Sequence, residues 1–208
     1  MSERKIAPIT DNLDKQQTYR FQMSRYSKAL REGFFFEAML IDYAMLEDRL
    51  RALLYHVAFF ADREKTGCWR KTKPYFHYFV STYKKEKEND TLVVKNISGK
   101  IKIIRSLLLW ASETDGGYEN DRYLIRLKSQ CECMDIGALL ETLNAIEQWS
   151  EYRNEIVHAL LNKQTASVYS ELAVQVENGM KYARLIDSQV RLLKKGNVIR
   201  RSVNAPMR

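Results

Sequence analysis

The run Tyr152-Arg153-Asn154-Glu155-Ile156-Val157-His158 places an arginine, an amide and one of the chain's three histidines within two turns of a helix. Arginine offers phosphate oxygens a planar fork of donors. Histidine exchanges protons near neutral pH. With an amide to orient the imidazole or to bind a phosphate oxygen, these residue types are sufficient for cleaving a phosphodiester without a metal. The net charge of +8 suits a polyanionic substrate.

At about 100° per residue, Ile146, Trp149, Ile156, Val157 and Leu160 all fall within roughly 60° of Arg153. The arginine therefore projects from the shoulder of a core-facing stripe, where a guanidinium needs a carboxylate or a phosphate. Glu47, on the flank of an earlier helix, is its predicted internal partner. His158 falls on a separate polar stripe with Asn154, Glu151 and Glu147. Glu151 would raise the imidazole's proton affinity if it came close. The bland alternatives are an Arg153–Glu47 clip between helices and a solvated helix face.

Spacing alone does not single out this pair. Arg51 precedes His56 and Arg70 precedes His77 at similar intervals. Arg51 and His56 have no polar residue between them on an apolar helix, and Pro74 interrupts the second pair. Arg153 and His158 have a polar neighbour, a long capped helix and a further helix behind them.

These residues need rigid helices to hold them. Only 8 Gly and 3 Pro in 208 residues favour long helices over strands and turns. Helices are predicted over Leu13–Arg31, ending near Gly33, and over Phe34–Ala61, where Met39, Tyr43, Leu46, Leu50, Leu53, Leu54 and Val57 share one face. A third covers Ile97–Ser112 and stops at Asp115-Gly116-Gly117, and a short one covers Asp121–Ser129. Asp135 is a good N-cap for a helix to about Asn162. Thr165 caps a last helix, Ala166–Lys195, with Gly196 as its stop. The expected fold is an all-α bundle of four or five major helices. It forms one domain over residues 1–195, with an irregular insert at about 62–96 (a loop at 62–74, a short helix over Tyr75–Lys87 and an extended piece at Thr91–Val94), a frayed polar leader to about residue 11 and a flexible basic tail at 196–208.

The tail region carries weak candidates for RNA contact: Lys194, Lys195, Arg200 and Arg201. Trp69, Tyr75, Phe76, Tyr78, Phe79 and Tyr83 in the insert would stack on bases or, as such clusters more often do, form a satellite core. Cys68, Cys131 and Cys133 lack the spacing of a zinc site, so neither metal nor cofactor is expected. The apolar runs are too short to span a membrane and no signal-peptide core follows Met1, so a cytoplasmic location is expected.

With these residues assembled, the chain resembles the HEPN family (higher eukaryotes and prokaryotes nucleotide-binding). That family is an all-helical bundle whose motif is an Arg, a polar residue and, after four to six intervening positions in all, a His. Arg153-Asn154-Glu155-Ile156-Val157-His158 matches with four, and the architecture resembles the family over roughly residues 34–195. The resemblance implies a metal-independent endoribonuclease of toxin–antitoxin, abortive-infection or CRISPR systems. It also implies a homodimer with two Arg/His motifs facing across one cleft, with RNA as substrate and an antitoxin or defence partner. Some members carry a Tyr two residues after the His, which an antitoxin modifies; Leu160 stands there in this chain, which argues against that mode of control. The alternative is a non-catalytic HEPN-like dimer that binds nucleotide or RNA, or serves as an adaptor.

Overall fold

The computed structural model describes residues 13–59, 67–84, 92, 94, 96–159 and 165–204. Among them there is no strand, and the helices are α1 (Leu13–Glu32), α2 (Phe35–His56), α3 (Gly67–Lys84), α4 (Ile97–Glu113), α5 (Arg122–Cys131), α6 (Ile136–Ala159), α7 (Thr165–Lys194) and α8 (Val198–Asn204), with a 3-10 turn at Lys195–Asn197. The all-α class is as expected. No helix among the described residues is long and apolar enough to cross a membrane.

Local chemistry sets several of the starts. The Asn96 side chain accepts from Gly99 N at 2.9 Å, and Asp121 accepts from Tyr123 N and Leu124 N. Asp135 accepts from Ala138 N at 3.0 Å, which is the cap predicted for α6. Helix α2 stops five residues before its predicted end at Ala61. Ala58 takes a positive φ of 65°, and the amides of Val57, Ala58 and Phe59 fold back onto Leu53, Tyr55 and Leu54 carbonyls.

Helices α2, α7, α6 and α4 contact one another in a closed cycle, each packing on the next. α2 is the spine, with Leu46, Leu50 and Leu54 fully buried. α1 lies against its outer side, α3 lies on α4, and α8 packs against α5 and α3. Gly179 of α7 lets this cycle close. A methyl at its position would come within 2.7 Å of the Trp149 ring and 3.0 Å of Asp42. The Trp149 ring is itself tied by its Nε1 donating to Gln175 O at 2.7 Å, so it has little room to retreat.

Two sequence expectations are corrected. The insert at 62–96 holds α3, which starts at Gly67, eight residues ahead of the short helix expected from Tyr75, and is part of the core. Phe76 and Phe79 are fully buried; Phe79 stacks on Trp110 at 4.7 Å and Phe76 meets Phe59 edge-on at 4.8 Å. Pro74 does not break α3. It stands about two turns into the helix, where it leaves the carbonyl four residues back without its amide donor, and its ring is exposed. The Thr91–Val94 piece lies largely outside the described residues, as does the leader before Leu13; Leu92 and Val94 pack on the core.

The tail is the second correction. Gly196 does end α7, with φ of 73°, but the chain then forms α8, which buries Ile199, Ser202 and Val203. The four-residue step from Ile199 to Val203, with Val198 beside it, carried that helical signal beneath the charge. Residues 205–208 lie outside the described residues.

The Thr72 hydroxyl donates to Ala58 O at 2.8 Å in a fully buried contact that fastens α3 to the turn after α2. Thr72→Val keeps the shape and removes the donor. It should cost about 1–3 kcal/mol in urea unfolding, the penalty for stripping a buried carbonyl of a donor. An unchanged midpoint would mean that water replaces the hydroxyl.

Candidate functional site

Arg153, Asn154 and His158 all project from the last two turns of α6. α6 is held at that height by its staples to α4, where Arg105 meets Glu147 at 2.8 Å and Asn144 at 2.7 Å. Ile156 and Trp149 sink into the core beside them. Arg153 is half-buried, as its angular position required, whereas Glu151, Asn154 and His158 are exposed.

The guanidinium of Arg153 does not meet Glu47. It lies over the ring of Tyr43 on α2, 4.4 Å from the ring centre, and donates to the Asn154 side chain at 3.0 Å. Glu47, one turn beyond Tyr43, is taken by Lys100 of α4 at 2.8 Å. The reason is burial. The Lys100 side chain is only 4% exposed and needs a full counter-charge, whereas an arginine on an aromatic face is partly compensated by the ring's quadrupole. The predicted Arg153–Glu47 clip is thus replaced by a lysine–glutamate clip and an arginine–tyrosine stack.

This exchange leaves Arg153 with no carboxylate within 4 Å among the described residues, and its buried Nε has no hydrogen-bond partner there. The group is positioned but not neutralised, which is the state a phosphate binder requires. Burial holds the Tyr43 hydroxyl above its ordinary pKa, with the charge of Glu47 adding to the effect and that of Arg153 opposing it. Tyr43 therefore remains a neutral ring under the cation. Sequence reasoning placed Tyr43 in the core stripe and missed this role; its i+4 relation to Glu47 was the available signal.

The other Arg-to-His pairs are not comparable. His56 is buried at 6% exposure while Arg51 is exposed, so the two part company on α2. His77 is partly buried on α3; the Arg70 side chain and Leu160 lie outside the described residues.

The predicted basic contacts are spread over the α7–α8 junction. Lys195 and Arg201 are exposed, Lys194 is partly buried, and Arg200 stacks on Tyr55 at 3.8 Å while donating to Tyr55 O at 2.8 Å. Tyr43 and Tyr55 lie 12 residues apart on α2, so the two arginine–tyrosine stacks are separated by about 18 Å along its axis. The structure does not bring the α8 cations to Arg153.

A cavity of about 660 Å³ opens between α1 and α2, lined by apolar Leu40, Ile41, Ala44 and Met45. Its rim cations are already matched, Lys15 with Asp48 at 2.6 Å and Arg25 with Glu37 at 2.6 Å, so it lacks the unneutralised charge that an anion needs. No cluster of three metal-ligating side chains occurs among the described residues. Cys131 is fully buried and its thiol is pushed up to about 12, chiefly by burial, so it stays protonated and inert. No family model, curated protein or solved structure matches the chain.

Proposed function

We propose that this protein is a HEPN-type endoribonuclease that cuts RNA by attack of the ribose 2′-OH and needs no metal to do so. It acts as a homodimer in the cytoplasm, in a toxin–antitoxin or phage-defence setting. The observation that carries the reading is Arg153, fixed on Tyr43, with no carboxylate within 4 Å among the described residues and followed on the same helix by exposed Asn154 and His158.

Helix geometry supports the dimer. His158 stands five positions after Arg153, which sets the two about 140° apart around α6. One copy cannot aim both at the same phosphate oxygen. A second copy, related by a two-fold axis, supplies the missing member of each pair. One His158 takes the proton of the 2′-OH as its oxygen attacks phosphorus. The second copy's His158 gives a proton to the departing 5′-oxygen. The arginines offset the charge gathering on the phosphorane, and the products are a 2′,3′-cyclic phosphate and a 5′-OH. DNA lacks the nucleophile and is not cut.

The same 140° separation favours the second reading, a non-catalytic dimer that holds RNA or nucleotide between Arg153 and Asn154. Incubation of the purified protein with RNA in EDTA decides between them. Cleavage should persist there and fall at least 100-fold in both Arg153→Ala and His158→Ala, while His158→Ala still binds RNA. Binding without any cleavage by the parent protein would select the second reading. Undiminished cleavage by His158→Ala would refute the mechanism.

A further inference from the structure

α8 turns the basic C-terminal segment into a fixed surface. Ile199 and Val203 anchor it in the groove between α5 and α3, and the Lys71 ammonium of α3 donates to Val203 O at 3.4 Å. Around it stand five exposed cations from three packed elements and their junction: Lys71 on α3, Arg122 and Arg126 one turn apart on α5, Lys195 in the 3-10 turn and Arg201 on α8. None of these five has a carboxylate within 4 Å among the described residues, although Lys15, Arg25, Arg49, Lys100, Arg105 and Arg191 all do. Exposed cations without a carboxylate partner, carried on elements that pack against one another, attract an external anion.

An aromatic ring completes the surface. Of the described aromatics in α3, Phe76 and Phe79 are core, Tyr75 donates to Asp121 and Tyr83 bonds Thr114. Tyr78 alone among them is outward, at 52% exposure. It lies seven residues after Lys71, hence on the same line of α3 and about 10 Å further along. Unneutralised cations beside an exposed tyrosine are the elements that bind single-stranded nucleic acid, phosphates to the charges and a base to the ring.

From this arrangement we infer that the α3–α5–α8 face is an RNA-holding surface distinct from the α6 site. Lys71, Arg122, Arg126, Lys195 and Arg201 contact the backbone of a single-stranded segment and Tyr78 stacks on one of its bases. The inference rests on RNA being the substrate, and it deepens that reading by separating where RNA is held from where it is cut. An anionic membrane would suit the charges but would give the exposed tyrosine ring no base to stack on.

The test is fluorescence anisotropy with a 5′-labelled single-stranded RNA across a salt series, in the His158→Ala background so that the probe stays intact. The quadruple change Arg122→Ala/Arg126→Ala/Lys195→Ala/Arg201→Ala removes only exposed side chains and leaves the Lys71–Val203 contact in place, and circular dichroism checks that it is folded. It should weaken binding at least tenfold and reduce the slope of log K against log salt by about 3, at roughly 0.7 for each phosphate no longer neutralised. Tyr78→Ala should weaken binding about tenfold and leave the salt slope unchanged. Equal affinity and slope in parent and quadruple variant would overturn the inference, as would binding to phosphatidylserine vesicles with none to RNA. If binding depends on the surface as expected but the protein with His158 intact never cleaves, the inference stands and the nuclease reading falls.

Discussion

Asp187→Ala should lower folding stability by about 3–5 kcal/mol, the cost of breaking a buried ion pair from one side. Arg49 is fully buried in α2, and its Nη1 meets Asp187 of α7 at 2.9 Å. Its other nitrogens meet the Tyr19 hydroxyl and Asp48, which in turn holds Lys15 of α1. The cluster thus ties α1, α2 and α7 with one guanidinium. Burial disfavours the Asp48 carboxylate, but hydrogen bonds from Lys15 and Tyr19 and the charges of Lys15 and Arg49 outweigh it and leave its pKa lowered.

Removing Asp187 leaves the buried cation facing Asp48, a carboxylate it already shares with Lys15. Removing the cation is milder. In Arg49→Met, Asp187 keeps Arg191 at 2.7 Å and Asp48 keeps Lys15, and the methionine fills most of the space. Urea unfolding of the two variants should therefore rank Asp187→Ala well below Arg49→Met. Equal losses, or losses under about 1 kcal/mol in both, would show that this cluster does not tie the helices together.

Asp42→Asn should raise stability at pH 8, by on the order of 3 kcal/mol, and change little near pH 4. Asp42 is fully buried where α2 meets Gly179 of α7, and neither carboxylate oxygen has a hydrogen-bond partner among the described residues. Burial pushes its pKa up to about 9, and the charge of Arg184 only partly opposes this. The folded chain therefore keeps a proton that the unfolded chain releases above its ordinary carboxylate pKa. Stability from this group is complete in acid, declines as pH rises through the window between the two values and levels off above about 9. Asparagine has the same shape without the titration, so the variant's pH profile should lose that decline. Parallel profiles for parent and variant between pH 4 and 9 would show that Asp42 ionises in the fold.

Much of the helix plan was legible because periodicity and caps are local. Leu13–Glu32, the start of α4, the Asp135 cap and the Gly196 stop all follow from residues within a turn of each other. Segments 62–96 and 196–208 were legible only in part: Gly67 and Pro74 pointed to a loop ahead of the short Tyr75–Lys87 helix, and high local charge hid the apolar side of α8. In α3 and α8 the apolar stripe is short, and it becomes decisive only when Trp110, Phe59 and α5 are there to receive it.

The candidate site divides along the same line. Sequence alone determined that Arg153 would stand at the edge of the core and that Asn154 and His158 would face water, because the angle around one helix depends only on spacing. Which group meets Arg153 is a contact between helices, and only the tertiary structure decided it. Two carboxylate–cation pairings were open to Glu47, and the more deeply buried ammonium of Lys100 took it, since the cost of an unpaired charge grows with burial. The arginine was left to the face of Tyr43 with its charge still available.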